Sequence, residues 1–259
     1  MALVTTGWKN LLIDDQDGIV TVTINRPKAM NAINMELMKE LEAFFEGMKD
    51  ADGTDVIILT GSGDKAFVAG ADIKEMAVMD SRAGRDWALL GEKVTALIEK
   101  APQPVICAVN GYALGGGCEL ALACDFRYAS QNAKMGQPEA KWGINACFGG
   151  TQRLSRAVGV PMAKELLYTA RFIDADEALR IGLVNRVLPD KESLMAAALA
   201  TAKEIQRCGK CAVRYTKLAV NDGRDVNIDV AIAHEAQYFG LCFDDPEQRE
   251  RMTSFMNKK

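Results

Sequence analysis

Histidine is nearly missing from this chain, with His234 the one residue of its kind. Ser–His or Cys–His catalysis would have to run through that residue, and no G-x-S-x-G elbow accompanies it. Cysteine is sparse and odd in number, at seven. Cys208 and Cys211 form one C-x-x-C pair, with no second pair and no nearby histidine to complete a zinc set. Cys107, Cys118, Cys124 and Cys242 sit in apolar runs and read as reduced core thiols, not a disulfide framework. Long apolar runs are absent too: none approaches the roughly 20 residues that cross a bilayer. Met1–Asp15 carries Lys9 but no apolar h-region and no small-residue cleavage site, so a cytoplasmic protein without a membrane partner is expected. Basic charge is short as well. Lys and Arg total 31 against 35 Asp and Glu, a net charge of -4, which does not favour nucleic acid or an anionic membrane as partner. Neither a metal nor a redox cofactor finds support.

What is present is an ordinary globular composition. Of 259 residues, 49% are hydrophobic and 25% charged, enough for one large core and a small appendage. Asn10–Asp14 and Ile19–Ile24 are strand-like runs around an Asp17-Gly18 turn, a hairpin signal. Met35, Leu37, Met38, Leu41, Phe44, Phe45 and Met48 then recur at helical spacing. Val56–Thr60 and Pro104–Val109 read as buried strands. The first leads through a glycine-rich loop to Asp72 and a helical stretch to about Lys100. The second leads through Gly111–Gly117 into a short apolar helix, Cys118–Cys124, and Asp125–Ser130 reads as a further strand. Helices fill most of Gly149–Ile181, and after Val184–Leu188 only helical patterns remain: Glu192–Arg207, Lys210–Val220, Val226–Phe243 and Pro246–Met256. The pattern predicts an α/β core over residues 1–190 and a helical extension over 191–259. The extension is too thin to bury its own faces, which points to packing on another subunit. No repeat of 20–50 residues is visible.

Glu119 stands out. It is the one acid between Val105 and Cys124, set in Gly115-Gly116-Gly117-Cys118-Glu119-Leu120-Ala121-Leu122-Ala123 directly after a buried strand. An unpaired buried carboxylate costs several kcal/mol or takes up a proton. A first-turn glutamate capping the helix explains the residue equally well. The glycines favour the first reading, because a strand, a glycine turn and a helix start leave unobstructed backbone N–H groups where negative charge can be held. Together these outline an acid/base enzyme acting on a carbonyl compound. Glu139 follows Gly136-Gln137-Pro138, where Pro138 forces extended backbone and so a loop. In Phe67-Val68-Ala69-Gly70-Ala71-Asp72-Ile73-Lys74-Glu75, Asp72 and Glu75 have the spacing of a capping box, with Ala71 presenting its N–H just before the helix.

Four segments resemble the enoyl-CoA hydratase/isomerase (crotonase) family: Ala69–Met76, Asn110–Leu120, Gly136–Glu139 and Gly149–Leu154. They match in order, from Asn25-Arg26-Pro27-Lys28 to the tail Phe239–Phe243. The resemblance implies a spiral of β-β-α units with a C-terminal helical trimerisation region, as a homotrimer or a hexamer of paired trimers. It implies amides at Ala71 and Gly116 binding a thioester oxygen, and Glu119 and Glu139 flanking a water. It also implies a CoA-thioester site involving Lys28, Ala29, Met30, Ala69, Asp72, Ile73, Lys74, Gly115 and Cys147, with coenzyme A as part of the substrate and no separate cofactor. The implied reaction is reversible addition of water to a short-chain trans-2-enoyl-CoA such as crotonyl-CoA, and having both acids favours this over the isomerases of the superfamily. One departure stands at Ile144-Asn145-Ala146-Cys147-Phe148, where the family often has Pro-Gly before Phe-Gly-Gly. A donor N–H survives at Cys147 only if its backbone suits a side chain, and the residue itself reads as small packing.

Three rivals are weaker. Gly61-Ser62-Gly63-Asp64-Lys65-Ala66 fits G-x-G-x-x-A but does not open a helix, so a dinucleotide fingerprint lacks its context. Another CoA-thioester lyase or isomerase of the superfamily, or a non-catalytic CoA-binding relative, stands against the retention of both acids.

Overall fold

A computed structural model describes residues 3–257 of the chain. Met1, Ala2, Lys258 and Lys259, the outer ends of the two expected regions, lie outside the described residues. The elements run β1 (Leu11–Gln16), β2 (Ile19–Ile24), α1 (Met35–Gly47), β3 (Val56–Gly61), β4 (Ala66–Val68), α2 (Ile73–Met76), α3 (Ser81–Glu99) and β5 (Val105–Val109). They continue with β6 (Tyr112–Leu114), α4 (Gly116–Ala123), β7 (Phe126–Ser130), β8 (Lys134–Gly136), α5 (Gly150–Val158), α6 (Val160–Thr169), β9 (Phe172–Asp174), α7 (Ala175–Arg180) and β10 (Arg186–Leu188). Four helices close the chain: α8 (Lys191–Gln206), α9 (Lys210–Gly223), α10 (Ile228–Leu241) and α11 (Pro246–Met256).

The strands form two sheets. The larger has the order β1-β2-β3-β5-β7-β10 and is parallel beyond the β1–β2 hairpin. Asp17 and Gly18 both take positive φ, 53° and 86°, as the tight hairpin turn requires. β3 and β5 are buried along their whole length because both faces are covered, which explains their unbroken apolar runs. Ile57, Leu59, Val105, Cys107 and Val109 face the main core, and the alternate residues Val56, Ile58, Ile106 and Ala108 face a second cluster. That second cluster is completed by Leu194, Ala198 and Ala202 of α8. So α8, grouped by sequence with the extension, covers a face of the sheet, and the three helices that follow it, α9, α10 and α11, have no buried residue.

The smaller sheet, β4-β6-β8-β9, is absent from the sequence expectation. Each of its four strands is three residues long, too short to show a period. β3, β5 and β7 each hand the chain to a strand of this sheet and then to a helix, which is the β-β-α unit. The units start at residues 56, 105 and 126, so no fixed repeat exists for the sequence to display. The helical stretch expected from Asp72 to Lys100 is broken, since Asp80 accepts the N–H of Ala83 at 2.8 Å and starts α3 afresh. Among the described residues no helix is long and apolar enough to cross a membrane.

Candidate active site

The site is built around the turn from β6 into α4. Gly117 must be glycine, since a Cβ there would lie 2.0 Å from the carbonyl oxygen of Val68, so α4 rests directly on the backbone of β4. Gly115 turns the chain into α4 with φ 51° and ψ -122°, a conformation closed to side chains. The helix therefore starts two residues before the sequence expectation, and every residue of it is buried.

Glu119, 1% exposed, points from this helix into the protein. One carboxylate oxygen accepts the N–H groups of Phe148 and Gly150, both at 2.7 Å. Burial pushes its pKa up to about 7, helped by the charge of Glu139 and opposed by the two N–H donors and Arg153. Glu139 enters from the other side, on the single 3-10 turn Glu139–Trp142 after β8. Burial pushes its pKa up to about 7 as well. The Gln137 amide, turned nitrogen-first, donates to both of its oxygens at 3.1 and 3.2 Å.

Both acids line one cavity of about 60 Å³ with Ala69, Ala71, Ile73, Gly115, Gly116 and Cys147. The N–H groups of Ala71 and Gly116 have no acceptor among the described residues. The reasons are local. Ala71 bridges Ile33 so that Gly70 and Asp72, not Ala71, carry the two bonds, while Gly116 is the first residue of α4 and has no turn before it to bond. The N–H of Cys147 is likewise unbonded, and Cys147 does not take a positive φ, so a side chain is accommodated where the family often has glycine.

Five residues of the expected CoA site stand outside the cavity wall. Lys28 and Lys74 are exposed, and Met30, in left-handed backbone, joins the rim through its carbonyl, which accepts the N–H of Ala69 at 3.2 Å. Ala29 lies in the same turn as Lys28. Asp72 pairs with Arg26 at 3.6 Å and caps Lys74. The capping box is corrected: Glu75 reaches instead to the N–H of Met35 at 2.9 Å, tying α2 to the start of α1. The apolar part of the wall, Met76, Trp87, Trp142, Ile144 and Phe148, escaped the sequence reading. Trp87 lies against Phe148 with ring centroids 5.7 Å apart, and its indole N–H has no partner among the described residues. Helical spacing marks Trp87 as inward-facing, but nothing in the sequence says what it faces.

Two acids with raised pKa beside two unused amides are an arrangement able to move protons next to a developing oxyanion. Comparison with known proteins gives the particular family. Residues 14–259 match the model of Enoyl-CoA hydratase/isomerase, and the chain belongs to that family. It is 49% identical to the crotonyl-CoA hydratase of Syntrophomonas wolfei, covering 97% of this chain and 96% of that one. It is 48% identical to the short-chain-enoyl-CoA hydratase of Clostridium acetobutylicum, over 96% and 95%. The crystal structure of enoyl-CoA hydratase from Bacillus anthracis matches with a TM-score of 0.93 at 38% identity, covering 97% of each chain.

Proposed function

We propose that this chain is a short-chain enoyl-CoA hydratase, adding water reversibly to trans-2-enoyl-CoA thioesters such as crotonyl-CoA. The carrying observation is that both raised carboxyls and both unused amides border one cavity. Ionised Glu119 takes a proton from water as the oxygen bonds to C3 of the substrate. The displaced electron pair moves through C2 to the thioester oxygen, held as an enolate by the N–H groups of Ala71 and Gly116. Protonated Glu139 then gives its proton to C2 as the enolate collapses. Water has been added across the double bond and the acid pair holds the same number of protons as before. Dehydration runs the same steps backwards. One preorganised N–H donor to such an oxyanion is typically worth about 3–4 kcal/mol.

Hydration is redox-neutral, and the residues themselves supply the proton carriers and oxyanion donors, so the proposal includes no cofactor. The exposed Lys28 and Lys74 suit the phosphates of coenzyme A. Exposed Ile228, Ile232, Phe239 and Phe255 on α10 and α11 support a homotrimer or paired trimers, and the working compartment is taken to be the cytoplasm. The test is loss of the ultraviolet enoyl-thioester band on mixing with crotonyl-CoA. A steady band at micromolar enzyme would overturn the reading.

A further inference from the structure

The peptide segment that holds Glu119 is itself clamped from behind. Phe148 and Gly150 give their N–H groups to the carboxylate. On the opposite side, the carbonyl of Phe148 accepts from Arg153 Nη1 at 3.0 Å and from Thr95 Oγ1 at 3.0 Å. Arg153 Nη1 also reaches Thr95 Oγ1 at 3.1 Å. The rest of the guanidinium, Nε and Nη2, grips one oxygen of Glu99 at 3.2 and 2.8 Å. The other oxygen of Glu99 accepts from Arg224, the residue that follows α9, at 2.8 Å. The network borders a cleft of about 460 Å³ between α9 and the core.

We propose that Arg153 is a positioning residue for the acid/base step, fixing the 148–150 peptide against Glu119 and anchoring it through Glu99 to Arg224 at the C-terminal end of α9. A guanidinium suits the task because its planar fork serves a carbonyl, a hydroxyl and a carboxylate at once, whereas a lysine ammonium is a single point of charge. Arg153 is mostly shielded, with 14% of its side chain exposed, as is Glu99 at 19%. Both therefore hold a definite geometry rather than a screened surface pair. The positive charge also opposes the burial and the Glu139 repulsion that raise Glu119. The remaining groups facing Glu119 are the Cys118 thiol on its own helix and the Cys147 thiol from the loop, both held protonated by burial. Glu99 is faced by Arg153, Arg224 and, electrostatically, Asp125.

The proposal rests on Glu119 as the base of the hydratase reaction. The experiment measures kcat, KM and the pH profile for crotonyl-CoA hydration in the full-length enzyme. Arg153→Met is expected to lower kcat about 100-fold, the scale of an ångström misplacement, with KM little changed. Its acid limb moves to higher pH because the charge is gone. Arg153→Lys restores the position of that limb but not the full kcat. Glu99→Gln removes the counter-charge and moves the limb the opposite way, to lower pH. Folded Arg153→Met with wild-type kcat and limb overturns the proposal. If Arg153→Met does not fold, Glu99→Gln decides, and an unmoved limb there also overturns it. Loss of activity in Glu119→Gln with normal Arg153 variants sinks the positioning role alone, whereas an active Glu119→Gln sinks the hydratase chemistry beneath it.

Discussion

Glu119 and Glu139 arrive at the same pKa, about 7, by different constructions. Glu119 belongs to a wholly buried helix and gives one oxygen to two backbone N–H groups. Glu139 belongs to a single turn after β8, is only half-buried, and has a side-chain amide as its neighbour. Burial raises both; for the first, two backbone N–H groups from the 148–150 segment oppose it and fix the position, while for the second only its own backbone N–H opposes it and the loop sets the position. The difference suits the roles proposed for them. A base that must hold a water needs a fixed oxygen, whereas an acid that must reach C2 tolerates more freedom.

The largest expected effect comes from removing either acid. Glu119→Gln and Glu139→Gln should each lower kcat for crotonyl-CoA by about 100- to 10,000-fold, with KM far less affected. Near-normal turnover in one variant would break the pairing and leave its partner as the working residue. A smaller pair of effects probes position instead of charge. A Cβ at Gly150 would stand 2.6 Å from Glu119 Oε1, and one at Gly115 would stand 2.6 Å from Glu139 Oε1. Gly150→Ala and Gly115→Ala should each lower kcat roughly 10- to 100-fold. If Glu139 is the more tolerant acid, Gly115→Ala should be the milder of the two apart from the strain of its positive φ, which a thermal melt reads separately.

Stability against pH separates charge from position. Both carboxyls are raised, so their contribution to folding is fully present below their ordinary value of 4.5 and is lost as pH rises through about 7. Glu119→Gln should therefore melt roughly 2–4 °C above the wild type at pH 8, the scale of about 1 kcal/mol for a chain of this size. The gain should shrink towards pH 4.5. The same substitution at the more accessible Glu139 should give less. An equal or larger gain at Glu139 would mean that the loop acid, not the helix acid, carries the greater strain.

The helix acid was also the more legible one. An unpaired Glu amid Leu, Ala and Cys declares its burial, and the three preceding glycines declare a close approach of backbone. Glu139 was visible mainly through the resemblance of Gly136-Gln137-Pro138-Glu139, since a loop carboxylate carries no burial signal of its own. The large sheet could be read from β3 and β5 because a strand covered on both faces is apolar throughout. The small sheet could not, because three-residue strands show no alternation and β6 lies inside what reads as a glycine loop. Trp87 and Phe148 come from elements 61 positions apart and meet only through packing. The Arg153 network was hidden for the same reason: Thr-Gln-Arg-Leu names the residue, but its partners Glu99 and Arg224 are set by the docking of α3 and α9.

The smallest expected effect falls on Cys147, which feels both acids. Burial pushes its thiol up to about 12, and the charges of Glu119 and Glu139 add to the push. At neutral pH it should stay protonated, and the thiolate is the reactive form. Iodoacetamide at pH 7.5 should label the exposed Cys208 well before Cys147, as read by mass spectrometry of the intact fold. Cys147→Gly keeps the backbone N–H and needs no change of φ, so its kcat should stay within about threefold of wild type, because most substitutions away from a required geometry act weakly. Rapid labelling of Cys147 would mean that the negative field of the two acids is weaker than their shared burial requires. Glu139→Gln tests the source of that field, since removing one charge should speed the labelling of Cys147 while leaving Cys208 unchanged.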